Sequence, residues 1–478
     1  MLSVALALVG GARAGAESAY SPAPVFSGLK SCVVPGIAGA QCAILNVPES
    51  RDGASRRTLP LRILLLPAET RKQGSIPIFV VAGGPGGTIT EAAAAFGKSW
   101  ERQEHDVVLV DQRGTGAGHR LDCFDPVDQR PFATPFTYEF TKRCRESLSK
   151  HFDLSQFSTP NSVADLEDVR QALGYNQIGL EAVSFGTYLS VMYMREHPDR
   201  VGAALLFSLV SPDNPVPLYF ARSTQSSFDG LVAECEADPQ CGAAFPALHD
   251  DFNAVLRRLK SAPATVAVKK PDGSVSSVSL NADDFADAVR VMLYVEARSR
   301  ELPLLIHQAR NGNYEPFVRI ALDADTAFYH AARLGLFFSI TCNEFISRIR
   351  PEDIAPATAG TFAGDHRVLG QIDSCRKWPK THLPERMFSP FVVNVPTVLI
   401  SGRLDPVTPP SWSEAARKFL PNSLRLIVPG GHGPWSPCTS AIGAQLFATR
   451  SIQSIDASCI GKVQPLPFRL PGPEVTKP

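Results

Sequence analysis

The chain has 478 residues, 44% of them hydrophobic, which is enough for a large buried core and too many for a disordered protein. Its 47 basic and 47 acidic side chains balance to zero formal charge, which excludes the strongly basic surface of a nucleic-acid or polyanion binder. No run of about 18 apolar residues occurs, so no membrane-spanning helix is expected.

The length suits roughly two to four domains, or one domain carrying a long insertion. Residues 2–9 form a short apolar core, followed by the small-residue sequence Ala12-Arg13-Ala14-Gly15-Ala16. This resembles a secretory signal cleaved near Ala16, so residues 1–16 are expected to be a signal peptide, although a positive leading region is absent. Ten cysteines fall into neighbouring couples: Cys32 and Cys42, Cys123 and Cys144, Cys235 and Cys241, Cys342 and Cys375, Cys438 and Cys459. None makes a CxxC pair, against a zinc knuckle or a thioredoxin-type site. Five local disulfides formed in an oxidising compartment, secreted or periplasmic, are the simplest account; ten buried free thiols are the alternative.

Residues 20–58, with Pro22, Pro24, Pro35 and Pro48, read as irregular. Residues 59–67 have the apolar clustering of a strand, and 76–81 make a second, wholly apolar one. That strand runs into Ala82-Gly83-Gly84-Pro85-Gly86-Gly87, a glycine cluster whose backbone N–H groups could face a ligand; a tight turn without chemistry would look the same. Residues 107–110 form another buried strand, and in the following Asp111-Gln112-Arg113-Gly114 the two charged residues are expected to order the turn. Asn161 or Ser162 can cap a helix that runs to Leu173 and stops at Gly174.

Residues 178–183 are a buried strand, and from Tyr188 the apolar spacing is helical. Ser184 therefore sits at a strand-to-helix junction with Gly186 two residues on, the layout that lifts a serine hydroxyl above a sheet edge. Ala182 stands where the usual motif has its first glycine. After one more strand at 203–210 the sheet pattern disappears until 395–400. Between them, 226–237, 247–259, 282–294 and 321–334 show helical spacing, and 265–268 with 275–280 suggest a hairpin turning through Pro271-Asp272-Gly273. Continuous apolar runs alternating with helices indicate a mainly parallel α/β sheet. The long helical insertion is expected to be a cap, 213–390, over a site built on 17–212 and 391–478.

Past the insertion, Asp405 follows the strand at 395–400, where open α/β sheets place working groups. After the strand at 424–428 comes Pro429-Gly430-Gly431-His432-Gly433-Pro434, a histidine free to reach a serine. The roles follow from chemistry: His432 takes the Ser184 proton, and Asp405 fixes the imidazole tautomer and stabilises the cation. The N–H groups of Phe185 and of the glycine turn, at Gly84, would stabilise the tetrahedral oxyanion. The remaining histidines are scattered without metal-ligand spacing, and no nucleotide-binding motif occurs, so no metal or other cofactor is expected.

With Gly83-Gly84-Pro85-Gly86, Asp111-Gln112-Arg113-Gly114, Ser184-Phe185-Gly186-Thr187, Asp405-Pro406-Val407-Thr408-Pro409 and Gly431-His432-Gly433, the chain resembles the tripeptidyl- and prolyl-aminopeptidase family of secreted α/β-hydrolases. The resemblance spans roughly 40–460 and departs from the family at Ala182 and at Phe207-Ser208, where Asp-Gly is frequent. It implies an α/β-hydrolase fold and hydrolysis of peptides from a free N-terminus through an acyl-enzyme. Such enzymes hold the substrate ammonium with carboxylates from the cap. Ile340-Thr341-Cys342-Asn343-Glu344 resembles the family's Cys-x-acidic segment, which makes Glu344 the candidate anchor; a surface glutamate would look no different. The expected partner is a peptide or small acyl substrate, and an esterase or amidase acting on non-peptide acyl groups is the alternative function.

Overall fold

The computed structural model describes residues 25–123, 132, 134–269, 273–330 and 332–472. The signal-like segment 1–16, Pro22, Pro24 and Pro271-Asp272 of the expected hairpin turn lie outside them. Two short strands, β1 (Val25–Phe26) and β2 (Lys30–Ser31), lie on β3 (Gln41–Pro48), which pairs antiparallel with β4 (Thr58–Leu66). Next in the chain come β5 (Ile78–Val81), β6 (Val107–Val110), β7 (Ile178–Val183) and β8 (Val201–Phe207). A separate antiparallel hairpin, β9 (Ala264–Lys269) and β10 (Val275–Leu280), precedes β11 (Thr397–Gly402) and β12 (Ser423–Val428). The main sheet has the order β1-β3-β4-β6-β5-β7-β8-β11-β12, and every pairing from β6 to β12 is parallel.

Helices cover both faces, which is why the central strands read as unbroken apolar runs: all four residues of β6 and all six of β11 are buried. The helices Thr159–Ala172 and Phe185–Glu196 pack one face through Leu166, Val169, Tyr188 and Leu189, and the helix Pro437–Thr449 packs the other through Ile442, Leu446 and Phe447. Between β8 and β11 the chain builds a helical cap with its own core. In it Phe228, Phe252, Phe285 and Phe317 stack in series, with ring centroids 4.2 Å apart for the first pair. Five disulfides join Cys32 to Cys42, Cys123 to Cys144, Cys235 to Cys241, Cys342 to Cys375 and Cys438 to Cys459.

Three local expectations change. The stretch read as irregular contains the eight-residue β3, whose alternate residues Ala43, Leu45 and Val47 are buried against the core; the flanking prolines hid a period-two pattern. The helix before β7 is capped by Ser158, whose hydroxyl accepts from the Asn161 N–H, with Pro160 in its first turn, so it begins earlier than Asn161. The helix expected over 321–334 is two, Glu315–His330 and Leu334–Ile340. At the break, the Arg333 N–H donates to Gly86 C=O at 2.9 Å, a tertiary bond that overrides local helical preference.

Candidate active site

The nucleophile elbow follows from strain and close approach. Ser184 ends β7 at φ 56°, ψ −131°, a conformation that non-glycine residues rarely adopt and that persists only where the surroundings enforce it. Its N–H donates to Phe207 C=O at 3.0 Å, and its C=O accepts from the Thr187 hydroxyl at 2.6 Å. Gly186 is required, because a Cβ there would sit 2.3 Å from the Val81 carbonyl oxygen. Ala182 is an in-register strand residue between Val81 and Leu206, so its methyl is accommodated where the usual motif has glycine. Phe185 opens the next helix, and its N–H belongs to the first turn, where no intrahelical acceptor exists. The glycine turn lies directly on the elbow: a Cβ on Gly83 would be 3.0 Å from Ser184 Cβ, and Gly84 at φ 119° leaves no room for a side chain beside the Gly86 and Gly87 nitrogens.

Asp405 and His432 come together on the loops after β11 and β12. His432 Nδ1 lies 2.9 Å from Asp405 Oδ2. Asp405 is fully enclosed and accepts four further hydrogen bonds, from the Val407 and Thr408 N–H groups and the Thr408 and Ser208 hydroxyls, all at 2.7–3.0 Å. Burial opposes its ionisation, but the adjacent His432 and these donors outweigh that and hold its carboxyl below the ordinary value. Thr408 Oγ1 donates to Asp405 and lies 3.2 Å from His432 Nδ1, so the proton on Nδ1 is shared between two acceptors and Nε2 is left as the base. Ser208, at the departure from the family pattern, ties the two loops together: its hydroxyl donates to Asp405 and accepts from the Gly433 N–H at 2.8 Å.

The cap grips the same loops. The Thr224 and Ser227 hydroxyls, on the cap helix Phe220–Ala237, donate to the Pro406 and Leu404 carbonyls at 3.1 and 2.7 Å. The His432 N–H donates to Tyr294 C=O at 2.9 Å, just past the cap helix Ala282–Leu293. Gly431 allows this approach, since a Cβ there would meet the Leu293 and Tyr294 carbonyl oxygens at 2.5 and 2.6 Å.

A cavity of about 70 Å³ is lined by Ser184, Gly84, Phe185 and Thr408, together with Tyr294 and Arg367 of the cap. His432 does not line it; the Tyr294 ring stands 5.0 Å from the imidazole and does. The volume is far below the roughly 300–1,000 Å³ of a typical ligand site. Arg367 also lines a second cavity, of about 280 Å³, walled by Asp283, Asp284, Asp287 and Asp325. Burial pushes the Asp325 carboxyl up to about 6. Asp287 is held below its ordinary range, because His366 and Arg290 outweigh its burial.

Glu344 is placed elsewhere. It is fully buried, so it is not a surface residue, and it does not line the Ser184 cavity. Its Oε1 accepts from the Thr159 N–H at 2.7 Å, at the start of the helix Thr159–Ala172, and burial pushes it up to about 7 against that bond. The acidic wall was legible in part: Asp283, Asp284 and Asp287 follow the i, i+3, i+4 spacing of one helix face. Nothing in the sequence pointed to Ser208. Asp111 and Arg113 do order their turn: Asp111 accepts from the Thr90 hydroxyl at 2.8 Å, and Arg113 forks onto Asp165 with both bonds at 2.7 Å. Trp378 is a core residue, its Nε1–H on Ser339 Oγ.

A strained serine after one parallel strand, with a carboxylate and a histidine after two later ones beneath a helical cap, defines a class. The sequence profile of the alpha/beta hydrolase fold matches residues 76–434, and the chain belongs to that family. Within it, the chain is 26% identical to the serine protease Hip1 of Mycobacterium tuberculosis over 416 residues, covering 79% of this chain and 78% of that one. It is 28% identical to the tripeptidyl aminopeptidase of Streptomyces lividans over 214 residues, 40% of this chain and 39% of the other. It is also 24% identical to a probable proline iminopeptidase of Leptolyngbya boryana over 359 residues, 74% and 81% of the two chains. The resemblance to aminopeptidase-like α/β-hydrolases drawn from the motifs thus extends over most of the sequence.

Proposed function

We propose that the chain is a serine exopeptidase that hydrolyses peptide bonds near a free N-terminus through an acyl-enzyme on Ser184. The observation that carries this reading is the enclosed Asp405–His432 pair, on loops neighbouring a serine held at a strained φ. Ser184 Oγ attacks the scissile carbonyl while His432 Nε2 takes its proton; the amine leaves with that proton, and water then hydrolyses the ester by the same route. The Gly84 and Phe185 N–H groups stabilise the oxyanion, each contributing about 3–4 kcal/mol. The names of the relatives favour peptides over other acyl substrates.

The substrate ammonium is assigned to the acidic cavity, with Asp325 and Asp287 as its carboxylates, because Arg367 lines both that cavity and the one beside Ser184. Glu344 becomes a helix-capping group. The five disulfides suit an oxidising compartment, secreted or periplasmic, and no helix among the described residues is long and apolar enough to cross a membrane.

The test is a panel of aminoacyl and tripeptidyl chromogenic amides with free and blocked amino termini, set against short acyl esters. Fluorophosphonate labelling accompanies it, with Ser184→Ala expected to abolish labelling. Cleavage of free-amine peptides supports the reading; cleavage of esters alone would replace it with the esterase or amidase.

A further inference from the structure

A larger cavity, of about 630 Å³, lies on the sheet face that carries the helix Pro437–Thr449, within the size range of small-molecule sites. Its walls are mostly apolar: Val81, Ala92, Ala95, Phe96, Trp100 and Val183. Two carboxyls interrupt them, Glu101 from the turn of helix Glu101–Glu104 and Glu181 from the middle of β7, only 5% and 4% exposed. Oε2 of each has no hydrogen-bond partner among the described residues, and neither carboxyl is ion-paired with a lysine or arginine there. Lys98, an exposed cation, lines the same cavity.

Burial, together with the Glu101 charge, pushes Glu181 well above the carboxylate range. A ligand that brings three N–H donors and a positive charge on an apolar body satisfies both oxygens and both kinds of wall, and the proton held on Glu181 leaves to solvent.

We propose that this cavity, with Glu101 and Glu181 as its polar pole, binds a primary ammonium ion carried on an apolar body. Two sources supply that chemistry: free small amines, and the new amino terminus that peptide hydrolysis exposes on the departing fragment. The proposal does not rest on the peptidase reading, since the site is separate from Ser184.

The experiment is calorimetric titration of benzylamine into the full chain bearing Ser184→Ala, beside benzyl alcohol of the same shape and no charge. Saturable binding is expected once Asp325→Asn in the same chain has silenced the acidic cavity, with the alcohol at least about tenfold weaker, as the loss of charged hydrogen bonds implies. Glu181→Gln should weaken benzylamine about tenfold or more. Ala92→Trp, which sets a large ring on the cavity wall, should abolish binding and decides the matter if Glu181→Gln fails to fold. Equal affinity for amine and alcohol, no binding, or undiminished affinity in Ala92→Trp or in a folded Glu181→Gln would overturn the proposal. Phe-Gly amide binding alongside benzylamine assigns the site to the departing peptide; benzylamine alone assigns it to small amines.

Discussion

Ser208→Ala removes a hydroxyl that serves both halves of the acid–base pair. Asp405 loses one of its donors, a hydrogen bond to a charged group worth about 1.5–3 kcal/mol, and the Gly433 N–H is left buried without an acceptor, which costs about 1–3 kcal/mol. Since four donors to Asp405 remain, the carboxylate stays ionised at neutral pH. The expected stability loss is about 2–4 kcal/mol, read from urea denaturation. If the whole of the charged bond acts in the transition state, kcat falls about 10- to 150-fold, with KM little changed. With one donor fewer, the Asp405 carboxyl is held less far below its ordinary value. Ser208→Gly is the control: glycine tolerates the φ of 54° at this position, so it recovers the backbone strain while lacking the same hydroxyl. A Ser208→Ala enzyme with wild-type kcat and wild-type stability in urea would refute the reasoning.

Gly431→Ala places a methyl against the Leu293 and Tyr294 carbonyls, so His432 must shift; a fall in kcat of at least about 100-fold is expected in steady-state assays, with about 1–3 kcal/mol of overpacking. Glu344 is pushed from an ordinary 4.5 up to about 7, so the native chain holds that proton longer than the unfolded one. Stability therefore falls as pH rises from the lower value to the upper, by something on the order of 3 kcal/mol, and is flat above. Glu344→Gln, which keeps an acceptor for Thr159, should remove that slope in melting temperatures measured between pH 4 and 8, and an unchanged slope would count against the assignment. Asp325 gains its charge as pH passes about 6, so KM for free-amine substrates should fall from pH 5 to 7. Asp325→Asn should raise KM and flatten that dependence, while substrates with blocked amino termini behave as with wild type.

The strands at 107–110 and 78–81 were legible because continuous apolar runs survive only where both sheet faces are covered. The three site loops were legible for a related reason: Ser184, Asp405 and His432 each come after a mostly apolar strand, with glycine or proline within two residues. What sequence spacing could not carry was contact between distant segments. Arg333 breaks a helix because Gly86 offers it a carbonyl, and Glu344 leaves the substrate side because the start of another helix takes its oxygen. Ser208 followed the same logic: a departure from family pattern at one position becomes intelligible only beside Asp405 and Gly433. Strand β3 was missed for a local reason, since Pro48 lies at its very end and prolines flank it without interrupting its alternation.

The bonds from Thr224, Ser227 and Tyr294 to the acid and histidine loops change what modular engineering can attempt here. A chimera that imported a foreign roof to alter selectivity would leave two loop carbonyls and one imidazole-bearing backbone amide searching for mates. Donor and recipient would have to exchange the roof together with residues 404–408 and 430–433, as one inheritable unit.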